Sequence, residues 1–92
     1  MSDVLNIDWK VSDDAVANSV GDEMVILHLE NSNYYGLDPV GTVLWHGLIS
    51  GKKPAEVCDD ILDQFEAERT MVEKDIARFL VDLEENDLIS RA

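Results

Sequence analysis

The sequence predicts an α+β domain, a three-stranded antiparallel sheet followed by three helices. Three observations carry this. Apolar residues follow the two-residue period of a strand as far as Leu37 and the 3.6-residue period of a helix from Val40 on. The junction, Asp38-Pro39, has the chemistry of a helix start, with Asp as cap and Pro at the first helical position. A length of 92 residues allows one domain with one modest core.

Residues 1–14 are polar and acidic around Val4, Leu5, Ile7 and Trp9. They read as an acidic N-terminal arm or a loosely attached edge strand, which leaves 15–92 as the domain proper. Ala15–Val20 is a short strand. Gly21-Asp22 is a two-residue hairpin signal. Glu23–Glu30 is the strongest strand in the chain. Val25, Leu27 and Leu29 fall on one face and Met24, Ile26 and His28 on the other. Two apolar faces predict at least partial cover on both sides. Asn31-Ser32-Asn33 is the next turn, and Tyr34–Leu37 a brief third strand.

The first helix runs from Pro39 to about Ser50, with Val40, Val43, Leu44, Leu48 and Trp45 as its apolar stripe and Gly51 as its stop. Pro54 opens the second, where Val57, Ile61, Leu62 and Phe65 recur at helical spacing behind a poor cap, Lys53. Thr70-Met71-Val72-Glu73 has capping-box spacing for the third. Its long apolar face is Val72, Ile76, Phe79, Leu80 and Leu83, and Asn86 suits a left-handed stop. Leu88-Ile89 reads as a short tail or strand packing back on the core. The whole matches a winged helix-turn-helix architecture with the sheet placed first.

Twenty acidic residues against seven basic ones give a net charge of −13. Phosphate and anionic bilayers repel such a chain, so neither nucleic acid nor membrane is an expected partner. The N-terminus lacks the basic and apolar regions of a signal peptide, and no apolar run is long enough to span a bilayer. A lone cysteine, Cys58, forms no internal disulfide, which fits a reducing cytoplasm.

The search for catalysis is mostly negative. Cys58 falls within the second helix and reads as a small buried hydrophobe. His28 and His46 stand in no dyad context and, with one cysteine, do not supply the four paired ligands of structural zinc. His28 reads as a sheet residue with a satisfied ring nitrogen. The cluster Asp59, Asp60, Asp63, Glu66 and Glu68 lacks the spacing of a calcium loop and reads as a solvated face. No glycine pattern cradles a phosphate. Expected, then, are no catalytic residues, no metal and no cofactor. A DNA-reading third helix is disfavoured because Lys74 and Arg78 sit among Glu73, Asp75, Asp82, Glu84 and Glu85.

The sheet edge is the sharper feature. A short last strand offers unpaired main-chain groups to another chain, and an extended peptide can add there as a further strand. Met71, Asp75, Arg78, Phe79 and Asp82 recur along one flank of the third helix and could wall a groove beside that edge. Phe79 reads equally well as a core residue.

Tyr34-Tyr35-Gly36-Leu37-Asp38-Pro39-Val40-Gly41 followed by Leu44-Trp45, with the strand Val25–Glu30 before it, resembles the PqqD-like family, whose domain is also called the RiPP recognition element. The likeness continues through Lys53-Pro54-Ala55-Glu56-Val57, Phe79-Leu80-Val81-Asp82-Leu83 and Leu88-Ile89, over roughly residues 15–90. The resemblance implies a non-catalytic peptide chaperone. Such domains bind the leader of a ribosomally made precursor peptide as an added antiparallel strand and present it to a maturation enzyme, such as a radical-SAM protein, cyclase or leader peptidase. Carried onto this chain, it implies strand contacts at Asn33, Tyr34 and Tyr35 and helix contacts at Met71, Asp75, Arg78 and Phe79. The strand pattern is similar to stand-alone proteins of lasso-peptide pathways. Lys53 and the acidic arm depart from the family pattern. The alternative is a winged-helix transcription regulator or another protein-interaction domain. A sheet edge can also pair with its twin, which leaves a homodimer open.

Overall fold

A computed structural model describes residues 3–21 and 23–92. A 3-10 turn at Asp3–Leu5 leads into β1 (Trp9–Val11). Then follow β2 (Ala15–Val20), β3 (Glu23–His28), β4 (Tyr34–Leu37), α1 (Pro39–Ile49), α2 (Pro54–Gln64), α3 (Arg69–Glu85) and β5 (Ile89–Arg91). The expected sheet is present as an antiparallel meander in the order β2-β3-β4. Met1, Ser2 and Asp22, parts of the expected arm and hairpin turn, lie outside the described residues.

Register explains the division of the sheet into faces. Ala17 pairs with Ile26 and Ile26 with Tyr35, while Met24 pairs with Leu37. That set points inward, and Met24, Ile26, His28 and Leu37 are all buried. The other parity points outward: Val16, Leu27 and Tyr34 are cross-strand neighbours and all exposed. The cover expected over Val25, Leu27 and Leu29 is therefore missing from most of that face, and only Val25 is half-buried.

The helices pack on the inner face. Leu44, Trp45, Leu48, Val57, Ile61, Ile76, Leu80 and Leu83 are buried together with the inward strand residues, a single core. Fully burying such side chains contributes about 1.5–3 kcal/mol each relative to exposure. Gly47 lets α1 approach α2, because a Cβ there would overlap Val57 Cγ2. Asp38 caps α1, its Oδ1 accepting from the Gly41 N–H at 2.8 Å. Lys53 caps poorly, as expected, and Glu56 compensates by accepting the Lys53 N–H at 2.9 Å.

Four local expectations are corrected. The strong strand ends at His28 rather than Glu30, because the Ser32 N–H turns back to the His28 carbonyl and Ser32 takes φ 63°. Phe65 ends α2 in an extended conformation and leaves the helical stripe. Helix α3 starts at Arg69 after Glu68, so Thr70 is inside the helix and caps nothing. The left-handed residue after α3 is Asp87, at φ 59°, and not Asn86.

The ends of the chain form a second, smaller sheet that the residue pattern only hinted at. β1 pairs antiparallel with β5, with Trp9 opposite Arg91 and Val11 opposite Ile89. Trp9 is buried, donates its indole N–H to the Val4 carbonyl at 2.9 Å, and carries the Arg91 guanidinium 5.4 Å above its ring. Among the described residues no helix is long and apolar enough to cross a membrane.

Candidate peptide-binding edge

Strand β4 pairs with β3 on one side and with no strand on the other among the described residues. Antiparallel pairing alternates, so residues bonded to the neighbour are separated by residues that point away from it. The His28 N–H donates to the Asn33 carbonyl at 2.8 Å, which fixes the phase. Tyr35 and Leu37, opposite Ile26 and Met24, spend their main-chain groups on β3. Tyr34 and Gly36 turn theirs to the free edge. A guest strand would meet two N–H donors and two carbonyl acceptors there.

Helix α3 runs antiparallel to β4 and flanks this edge. The Tyr35 hydroxyl donates to Asp82 Oδ2 at 3.2 Å across the gap. One helical stretch earlier, the Phe79 ring and Leu37 Cδ2 both press against Gly41, where an added Cβ would sit 3.2 and 3.1 Å from them. Earlier still, Met71 and Asp75 join Val40 and Phe65 in lining an apolar groove of about 390 Å³. From Met71 to Asp82 the helix covers about 17 Å at about 1.5 Å per residue. That is the length of about five residues of extended chain.

The charges of the groove are mixed, with an acidic excess. Arg78 pairs with Asp75 at 3.2 Å, both half-exposed or more. Glu66, Glu68 and Asp75 line the groove itself, with Arg78 paired to Asp75 beside it. Burial raises the Tyr35 phenol above its ordinary value of 10.0, and the Asp82 carboxylate raises it further by repelling the phenolate and accepting the neutral hydroxyl. Tyr35 therefore stays a hydrogen-bond donor through physiological pH.

The sequence-derived site residues are placed as follows. Tyr34 is exposed at the edge and faces outward, while Tyr35 faces α3. The Asn33 carbonyl accepts from the His28 N–H and the Asn33 N–H donates to Asn31 Oδ1, so its main chain is engaged within the turn. Met71, Asp75, Arg78 and Phe79 share the α3 flank; Met71 is 61% exposed and Phe79 half-buried. Three contributors escape sequence reasoning. Gly36 offers main-chain groups and no side chain to notice. Val40 and Phe65 scan as helical core residues, but Phe65 is 36% exposed beside Met71.

Other chemistry is thin. Cys58 is fully buried, and burial pushes its thiol up to about 11, the opposite of an activated nucleophile. His28 is buried, and its Nδ1 accepts from the Glu30 N–H at 3.2 Å. Among the described residues no group of three or more His, Cys, Asp or Glu side chains could hold a metal ion.

The chain is similar to a solved structure described as TbiB1 in complex with the TbiA(beta) leader peptide. Identity is 40%, the match covers 88% of this chain and 94% of that one, and the TM-score is 0.81. It is also similar, at 25% identity, to a lasso peptide synthetase B1 complexed with the leader peptide. That match covers 90% of this chain and 98% of that one, again with a TM-score of 0.81. A comparison with curated proteins gives no significant match. The family model for Coenzyme PQQ synthesis protein D (PqqD) matches residues 23–89, most of the chain and all of the edge and its helical flank, and the protein belongs to the PqqD family.

Proposed function

We propose that this protein is a non-catalytic carrier for the leader segment of a ribosomally synthesised precursor peptide, which it holds as an added strand on β4 for delivery to a maturation enzyme. The unpaired edge of Tyr34 and Gly36, facing the α3 flank, carries the reading. Two similar proteins are described as complexes with leader peptides, one of them sharing 40% identity.

Magnitudes say how the edge would work. Four main-chain hydrogen bonds at about 0.5–1.5 kcal/mol net give about 2–6 kcal/mol. Association costs about 4–15 kcal/mol, so pairing alone does not hold a peptide. The groove at Val40, Phe65 and Met71 supplies what is missing, because each apolar side chain buried there adds about 1.5–3 kcal/mol. The leader would therefore combine an extended stretch over Tyr34–Gly36 with apolar residues placed to reach Met71. Arg78 and Asp75 would fix register against charged leader residues. Asn33 would close one end through its side chain.

A duplex-reading role has no comparable support. Helix α3 presents five acids between Glu73 and Glu85, and Arg69 and Arg78 are already ion-paired.

The test is titration of the isotope-labelled chain with its cognate synthetic leader. Amide shifts are expected at residues 34–36 and along 71–82. Shifts confined to the β2 edge, or none at all, would remove the assignment.

A further inference from the structure

We propose that the apolar groove beside Met71 selects its guest by charge as well as by shape. It takes an apolar leader side chain flanked by Lys or Arg, placed N-terminal to the stretch paired on β4, and Glu66 and Glu68 are the specificity-determining residues. The proposal rests on the leader-binding reading and deepens it.

Three observations carry it. First, the groove of about 390 Å³ is lined by apolar and acidic side chains alone, among them Val40, Phe65 and Met71 on the apolar part and Glu66, Glu68 and Asp75 on the acidic part. Apolar surface rewards any large apolar residue, so the charges around it are what tell one peptide from another. Second, two of the three carboxylates are uncompensated. Asp75 has Arg78 at 3.2 Å. Among the described residues no Lys or Arg pairs with Glu66 or Glu68. Arg69, the next residue after Glu68, turns away to Asp59 at 2.6 Å and to Glu73 at 3.7 Å. Glu68 stands at the N-cap of α3, yet its side chain makes no capping hydrogen bond. Third, the groove is continuous with the guest edge. Phe65 leaves α2 extended, at φ −127°, and Glu68 is still extended at φ −90°, so residues 65–68 form one lip of the groove and α3 the other. Val40 follows β4 closely in the chain, which puts the groove at the Leu37 end of the edge. A guest antiparallel to β4 passes Leu37 before Tyr34. Its N-terminal flank therefore reaches Glu66 and Glu68, and its C-terminal flank leaves at the Asn33 end.

The charge selects the occupant. A second copy of the chain would bring Glu66 and Glu68 against their twins around the same apolar centre. An anionic lipid would be repelled in the same way. A peptide with an acidic flank would set like charges together, which costs affinity and excludes it. An apolar anchor beside a cation is complementary on both counts.

The test is a double-mutant cycle by calorimetry. The probe is the cognate synthetic leader, in its natural form and with each Lys or Arg changed to Gln. Loss of the flanking cation is expected to weaken binding to the wild type about fivefold at about 0.01 M salt and less than about twofold at about 1 M, where the screening length falls from about 30 Å to about 3 Å. Glu66→Gln/Glu68→Gln is expected to weaken the natural leader about fivefold at the lower salt, and the change in the leader then costs nothing further. Both side chains are exposed, so this variant should melt as the wild type does. Asp13→Asn/Asp87→Asn removes two exposed charges beyond the far end of α3 and is expected to keep leader affinity within about twofold, which separates the rim from net charge. Losses that add instead of cancelling would overturn the proposal. So would an equal loss in the Asp13 and Asp87 variant, or a leader that binds without any Lys or Arg N-terminal to its paired stretch. Failure of the natural leader to bind the wild type, or to shift residues 34–36, would instead strike the underlying reading.

Discussion

The Tyr35 hydroxyl and the Asp82 carboxylate meet at 3.2 Å across the space between the edge strand and its flanking helix. They are 47 residues apart in sequence, and they tie the open side of the sheet to the wall of the groove. The bond is partly buried, and its donor is held protonated by its surroundings.

Its pH dependence has a definite sign. The folded-state phenol is raised above 10.0, so the folded chain holds this proton more tightly than the unfolded chain. The resulting stability is fully present below the unfolded value and is lost as pH climbs through the folded one. Ultraviolet titration of phenolate should find Tyr35 ionising later in the native protein than in urea. Asp82→Ala should move it earlier, and a Tyr35 midpoint unchanged in that variant would contradict the assigned cause.

Gly36→Pro should separate guest pairing from folding. The Gly36 N–H is not used by the β3–β4 ladder, so its loss spares the sheet, and proline is tolerated on an edge strand. Leader affinity should fall at least tenfold by calorimetry, while the melting temperature drops by only a few degrees.

Met71→Ala should behave similarly from the helix side. Met71 is largely exposed in the free protein, so truncation should change stability by no more than about 0.5 kcal/mol. The same change should cost about 1–2 kcal/mol of leader binding, about five- to thirtyfold in Kd, by removing apolar area from the groove. Equal affinity for wild type and variant would place the anchor elsewhere.

Gly47→Ala should do the reverse. The added methyl has no room beside Val57 at the α1–α2 crossing, and overpacking of this kind costs about 1–3 kcal/mol. Denaturant melts should show the loss, and leader affinity extrapolated to fully folded protein should be unchanged.

Much of this was legible in the sequence because local and global signals agree. Asp38-Pro39 caps α1 as its chemistry dictates, and the alternation in Glu23–His28 sorts buried Met24, Ile26 and His28 from the outward set. The edge and the α3 flank followed from the same periodicities. Other features were not legible, for physical reasons. The β1–β5 pairing joins segments some 80 residues apart, and three-residue strands carry no readable period. The role of Phe65 depends on where α2 stops, and no residue there announces the stop. Gly36 contributes through its backbone, to which side-chain patterns are blind.

The ribbon that ties Trp9 to Arg91 also governs how the domain could be rewired. The Ala92 N–H reaches the Asp8 carbonyl at 3.0 Å, so the first and last strands of the domain lie side by side. A unit whose first and last strands adjoin can be carried whole within a longer protein, entered and left at one point of its surface. The recognition module is thereby portable, and grafting it onto a foreign catalyst becomes a matter of choosing a tether.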